Sequence, residues 1–311
     1  MQRLFEQEEK IIRELENFLD EPLPLIPDVI YNSFGYTMES RHVVKIGLYN
    51  KGLNSIPTSI GELPMLRTLN LRENHLSELP RSFQNLKSLK TLIFSHNNFT
   101  YFPEPVCYLE NLSNLNINNN KIKELPESFG NLANLKEFNA KSNELIGFPQ
   151  SIGNLKSLKL LDASSNKIES LPSNFPKLER LQKLYLNSNS LQFLPENFGN
   201  LISLKECMLQ ENQLSKLPGS FGLLKRLQTL KLSNNNLTNL PESLGNLINL
   251  EVLYIDHNNL TTLPDSFCNL KKLHTLILKN NKFTNFSPEI KNWLESLFRD
   301  RKILSLLNLD I

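Results

Sequence analysis

The chain has 311 residues, 40% hydrophobic and 21% charged, with 34 Lys and Arg against 32 Asp and Glu. A net charge of +2 lacks the basic excess of most nucleic-acid binders, and the apolar content suits a large core rather than a disordered chain. Met1–Lys10 holds no apolar stretch of signal-peptide type, and no apolar run approaches the ~18 residues of a membrane span, so a cytoplasmic protein is expected.

From the N-terminus, Leu4, Ile11, Ile12, Leu15, Phe18 and Leu19 follow helical spacing, and Glu21-Pro22 ends that helix. Pro22–Pro27 reads as an extended connector, and 31–41 leads into the first strand. Residues 1–42 are therefore expected to form an N-terminal helical cap.

Beyond the cap the chain is a repeat. Leu66-x-x-Leu69-x-Leu71-x-x-Asn74-x-Leu76-x-x-Leu79-Pro80 recurs every 23 residues, starting at Val43 and then at Leu66, Leu89, Leu112, Leu135, Leu158, Leu181, Leu204, Leu227, Leu250 and Leu273. That is eleven units, 43–288, without insertion or deletion. Alternation across Leu69 and Leu71 is the period of a half-buried strand. So short a unit cannot enclose a core alone, and it must bury its apolar edge against the next copy. Stacked strands then make one parallel sheet. Leu76 and Leu79 turn inward from the connecting arc, where Pro80–Leu86 predicts a short helical or 3₁₀ turn. The column Phe83, Phe129, Phe175, Phe198, Phe221 and Phe267 predicts an inner spine.

Asparagine holds the ninth position in ten of the eleven units, with Lys51 the exception. At the bend between strand and arc, backbone groups lose their ladder partners, and an amide side chain offers them both a donor and an acceptor. After the repeats, Ile290, Trp293, Leu294, Leu297 and Phe298 sit on one helical face, and 289–311 is expected to cap the second end, with Ile303–Ile311 completing it.

The 23-residue unit, with Leu-Pro-Glu-Ser-Phe-Gly-Asn-Leu at 125–132 and Leu-Pro-Glu-Ser-Leu-Gly-Asn-Leu at 240–247, resembles the leucine-rich repeat, in particular the cytosolic Ras-group type. The resemblance covers about four-fifths of the chain. It implies an α/β solenoid: a right-handed horseshoe with a parallel concave sheet and short helical or 3₁₀ turns on the convex side. It also implies a non-enzymatic scaffold for a protein partner, with a small GTPase or another signalling protein as the class. The alternative is an accessory subunit that stimulates a partner enzyme such as a GTPase or phosphatase.

The residues free to differ between units are the outward strand positions. One column runs Gly47, Asn70, Ile93, Asn116, Asn139, Asp162, Tyr185, Met208, Lys231, Tyr254, Ile277; a second ends in Ser233, Asp256 and Lys279. Tyr185, Met208, Lys231, Tyr254, Asp256, His257 and Ile277 form the candidate partner-binding set, because aromatic and Met anchors ringed by charge are how interface hot spots are composed. Acids after the repeat proline (Glu104, Glu127, Glu196, Glu242, Asp265) and bases near each strand start (Lys87, Lys136, Lys225, Lys271) suggest rims of opposite sign, read equally as solubilising charge. No catalytic constellation, phosphate loop or zinc-ligand spacing occurs. Cys107, Cys207 and Cys268 read as reduced structural thiols. No cofactor, nucleic acid or membrane is expected, and the chain is expected to be a monomer.

Overall fold

The computed structural model describes residues 3–300. It forms two compact units, Met1–Leu145 with Asn154–Leu158, and Ile146–Gly153 with Lys159–Ile311.

The first unit opens with helix α1 (Glu6–Leu19), which buries Ile11, Ile12 and Leu15. Glu8 fastens it to the sheet: one buried carboxylate oxygen accepts the Val43 N–H at 2.6 Å and the other lies 2.6 Å from His42 Nδ1. The helix ends at Asp20, whose φ of 54° is left-handed. Phe18, expected on the buried face, is 44% exposed, because the helix rolls Ile11 and Leu15 inward and leaves Phe18 on the flank. Next comes a hairpin that the repeat pattern does not announce. Strands β1 (Phe34–Glu39) and β2 (His42–Leu48) pair antiparallel, turning through Ser40 and Arg41, both at positive φ. Strands β3 (Thr68–Asn70), β4 (Thr91–Ile93), β5 (Asn114–Asn116) and β6 (Glu137–Asn139) come next, each parallel to its predecessor.

The second unit carries β7 (Leu160–Asp162), β8 (Lys183–Tyr185), β9 (Glu206–Met208), β10 (Thr229–Lys231), β11 (Val252–Tyr254) and β12 (Thr275–Ile277). These strands pair parallel and in register, one repeat to the next. The unit ends in helix α2 (Pro288–Asp300), which buries Ile290, Trp293 and Leu294. Trp293 meets Phe267 edge-on at 6.0 Å. The apolar stretch 303–311 and the side chain of Phe298 lie outside the described residues.

Among the described residues there are thus twelve strands: one per repeat, β2–β12, and the added hairpin strand β1. The arcs of the first ten repeats each hold a 3₁₀ turn of three to five residues, such as Arg81–Asn85 and Gly219–Leu223. In the five-residue turns the repeat proline stands one residue before the turn rather than at its first position. Pro80 has an extended ψ of 151°, and its carbonyl accepts the Phe83 N–H at 3.0 Å. The expected architecture, a leucine-rich-repeat solenoid with a parallel sheet and 3₁₀ arcs, is the one observed.

Two columns hold the stack together. Leu69, Leu92, Leu115 and Phe138 in the first unit, and Leu161, Leu184, Cys207, Leu230 and Leu253 in the second, are all at most 2% exposed. The phenylalanines of the expected spine are fully buried. Phe198 and Phe221 stack at 5.4 Å, whereas Phe129 and Phe175 pack instead on Phe138 and Phe148. The asparagines act as expected. Asn97 Nδ2 donates to Leu71 O at 2.9 Å and Phe94 O at 3.1 Å, while its Oδ1 accepts the Leu76 N–H at 2.9 Å. Asn212 and Asn235 repeat the pattern. Just before the ninth position of each repeat, one residue takes a left-handed φ between 52° and 58°, from Asn50 through His257 to Asn280, and this turns the strand into the arc. Asn, Ser and His dominate there because they tolerate that region better than branched residues do.

Candidate partner-binding face

Parallel in-register pairing places side chains at one repeat position side by side, about 4.8 Å apart. The partners Asp162–Tyr185–Met208–Lys231–Tyr254–Ile277 therefore form one row across β7–β12 on the face opposite the buried leucines. All six are half-buried. Five of the seven candidate residues are brought together in this way.

The row is organised by charge. Tyr185 donates its hydroxyl to Glu206 at 2.5 Å, and Lys183 Nζ lies 2.7 Å from the other Glu206 oxygen. Burial, and then the bond to Glu206, push the Tyr185 phenol well above its ordinary range, so it stays a donor at physiological pH. Burial alone would raise the Glu206 carboxyl, but bonds from Lys183 and Tyr185 outweigh it and hold the carboxyl below its usual range. Lys231 Nζ sits 4.9 Å from the centre of the Tyr254 ring, a cation–π contact that fixes the ring against the sheet.

Asp256 departs from expectation. It is not part of an open charged ring: it is only 8% exposed and accepts the Ser233 hydroxyl at 2.5 Å from the neighbouring strand. Its column lies where the strand is already bending, so a short acid there folds under its neighbours. His257, at the left-handed position, closes over Asp256 with Nδ1 2.7 Å from the carboxylate, and its Nε2 lies 2.6 Å from Asn280 Nδ2. Asp256 thus positions the exposed His257 at the border of the row. Neighbouring turns make similar contacts, such as Ser188 to Glu211 at 2.7 Å.

In the first unit the same face is partly covered by the chain itself, which the repeat pattern does not reveal. Arg72 lies 4.0 Å from the Tyr31 ring and 5.2 Å from the Tyr49 ring, and donates to Asn32 Oδ1 at 2.9 Å. Asn70 Nδ2 donates to Tyr31 O at 2.9 Å. These contacts lay the segment before β1 across the outward positions of β2 and β3.

The charges of the two rims serve the fold in part. Glu104, Glu127, Glu242 and Asp265 each open a 3₁₀ turn. Lys87 and Lys225 donate to the carbonyls of Tyr108 and Asn246, at the end of the following turn. Among the described residues no three His, Cys, Asp or Glu side chains are placed to hold a metal ion, and no helix is long and apolar enough to cross a membrane.

Comparison with known proteins bears on the fold and the family. A family model for a leucine-rich repeat region matches residues 130–217 and 197–302, and a leucine rich repeat model matches 41–99. No curated protein sequence matches the chain. Among solved structures, a TDR receptor is 32% identical with a TM-score of 0.73, over 81% of this chain and 45% of that one. The Arabidopsis receptor kinase HAESA, solved with the peptide hormone IDA and the co-receptor SERK1, is 26% identical with a TM-score of 0.66, over 89% of this chain and 54% of that one. An internalin, inlF, of Listeria monocytogenes shares the fold at 23% identity and a TM-score of 0.69, over 81% and 70% of the two chains. The chain spans about half the length of the two receptor chains. With family-model matches over more than half of its residues, the chain belongs to the leucine-rich repeat proteins.

Proposed function

We propose that the chain is a protein-interaction module whose partner docks on the outward face of β8–β12. The observation that carries this reading is the Tyr185–Met208–Lys231–Tyr254–Ile277 row: large, half-buried side chains at a position where β5 and β6 carry plain asparagine. Nothing in the stacking of the repeats requires Tyr or Met there. Aromatic and Met side chains on a rigid sheet lose little conformational freedom on docking and bury much area. The HAESA complex with a peptide hormone and a co-receptor supports the reading by likeness of fold. The resemblance to the Ras-group type makes a small GTPase or another signalling protein the partner class, and three free thiols suit a reducing compartment.

The test compares wild type with the combined Tyr185→Ala, Met208→Ala, Tyr254→Ala variant. Hot-spot truncations cost at least about 1 kcal/mol each, so together they weaken the partner by roughly 100-fold or more. Proteins captured by the wild type should be lost from the variant while its melting temperature stays nearly the same. Unchanged capture by a folded variant refutes this placement.

A further inference from the structure

In the second unit, the edge where the strands begin is charged differently from the rest. Around the first leucine of each repeat, from 159 to 226, stand Lys159, Arg180, Lys183, Lys205, Lys225 and Arg226 against Glu179 and Glu206. In the segments that lead from strand to turn in the same repeats, Lys167 and Lys216 are offset by Glu169, Glu196 and Glu211. Solubilising charge mixes its signs. The strand-start edge does not.

Two of the six cations are engaged by the fold: Lys183 pairs with Glu206 at 2.7 Å, and Lys225 donates to the Asn246 carbonyl at 3.0 Å. The other four, Lys159, Arg180, Lys205 and Arg226, are exposed, and among the described residues no carboxylate lies within ion-pair distance of any of them. The backbone fixes their spacing. The Gln182 N–H donates to the Lys159 carbonyl at 2.8 Å, the Lys205 N–H to the Gln182 carbonyl at 2.8 Å, and the Gln228 N–H to the Lys205 carbonyl at 2.8 Å. Lys159 and Lys205 therefore share one repeat position two repeats apart, as do Arg180 and Arg226, with backbones about 10 Å apart in each pair. This edge adjoins the row, because Lys205 directly precedes Glu206, which accepts the Tyr185 hydroxyl. A partner seated on the row brings its flank against four cations that no carboxylate of this chain neutralises, and like charge on that flank would be repelled.

We propose that this edge selects an acidic partner: a protein segment carrying several Asp or Glu residues lies along Lys159, Arg180, Lys205 and Arg226 beside the row. The inference rests on the row as the docking face and adds the chemistry of what docks there. Carboxylates fit better than nucleic-acid phosphates, because the cations are confined to one edge and a net charge of +2 lacks a nucleic-acid footprint. Fluorescence anisotropy on the full chain tests this with three labelled probes: octaglutamate, octaglutamine and octathymidylate. At about 50 mM salt, octaglutamate should bind at least about tenfold tighter than octaglutamine, and about 500 mM salt should remove the difference. Lys159→Glu with Lys205→Glu should weaken octaglutamate by about tenfold or more. Lys216→Glu with Lys282→Glu, exposed lysines on the other side of the strands, changes the net charge equally and should weaken it less than about threefold. All four lysines are exposed, so both variants should keep the wild-type melting temperature. Octaglutamate offers no apolar side chain to Tyr185, Met208 and Tyr254, so this test holds or fails independently of capture through the row. Equal binding of octaglutamate and octaglutamine overturns the proposal, as does an equal loss in the two double variants. Octathymidylate binding tighter than octaglutamate assigns the edge to nucleic acid and also overturns it.

Discussion

The asparagine column offers the sharpest quantitative test of how the repeats are held. In Asn97→Ala, the buried Leu76 N–H loses its partner, while the Leu71 and Phe94 carbonyls each lose one bond and keep another, from Asn74 and Asn120 at 3.0 Å. A buried polar group left unpaired costs about 1–3 kcal/mol. One unpaired N–H, with one bond lost from each of two carbonyls that stay paired, gives about 2 kcal/mol. The neighbour Asn98 is a built-in control, because it is exposed and makes one long bond of 3.4 Å to the His75 carbonyl. Asn98→Ala should cost no more than about 0.5 kcal/mol. Urea unfolding followed by circular dichroism measures both. If Asn97→Ala costs less than about 1 kcal/mol, or no more than Asn98→Ala, the bridging role assigned to the column is wrong.

Three further outcomes rest on other contacts. A Cβ at Gly222 would clash with the Ser243 carbonyl oxygen of the next repeat, whereas one at Gly219 meets nothing within 4 Å. In urea unfolding, Gly222→Ala should therefore cost about 1–3 kcal/mol and Gly219→Ala next to nothing, and equal effects would refute the close approach between arcs. Burial pushes the Cys107 thiol up to about 11 and raises the sealed Cys207 as well, so a thiol reagent at neutral pH should label Cys268 first and the other two only on unfolding; rapid labelling of Cys207 contradicts the core packing. Because the Glu206 carboxyl is held low in the fold, its stabilising effect is complete above the unfolded value of about 4.3 and is lost as pH falls through the lower folded value. The stability gap between wild type and Glu206→Gln, at most about 1 kcal/mol for so exposed a pair, should narrow as pH falls below that unfolded value, and a gap that does not narrow rules out the Lys183–Glu206–Tyr185 contact as its source.

Much of this molecule is legible in its sequence because translation, not long-range topology, sets its contacts. Once Leu69 is inward and Asn70 outward, the 23-residue period transfers the assignment to every copy, and neighbours in space are neighbours in the period. The buried columns, the asparagine bridges, the 3₁₀ arcs and the Tyr185–Ile277 row all derive from that. What escapes is local and unrepeated. The β1–β2 turn uses Ser40 and Arg41 at positive φ, without the Asn-Gly signal of a tight hairpin, so only the tertiary setting selects it. The Arg72 contacts to Tyr31 and Tyr49 join the repeat to a segment with no period. Asp256 looks outward by count, yet it is buried because a neighbouring hydroxyl and His257 satisfy it more fully than the open face would. Phe18 fits the helical stripe but falls beyond the turn that α1 presses inward.

Recognition is assigned to the outward row of β8–β12 and not to the arcs, and site-specific photo-crosslinking measures this directly. A benzophenone amino acid replaces Tyr254 in the row or, separately, Leu223, which is 53% exposed on the 3₁₀ turn Gly219–Leu223. With partner present, the probe at 254 should form a covalent adduct and the probe at 223 should not. An adduct at 223 with none at 254 would contradict the assignment.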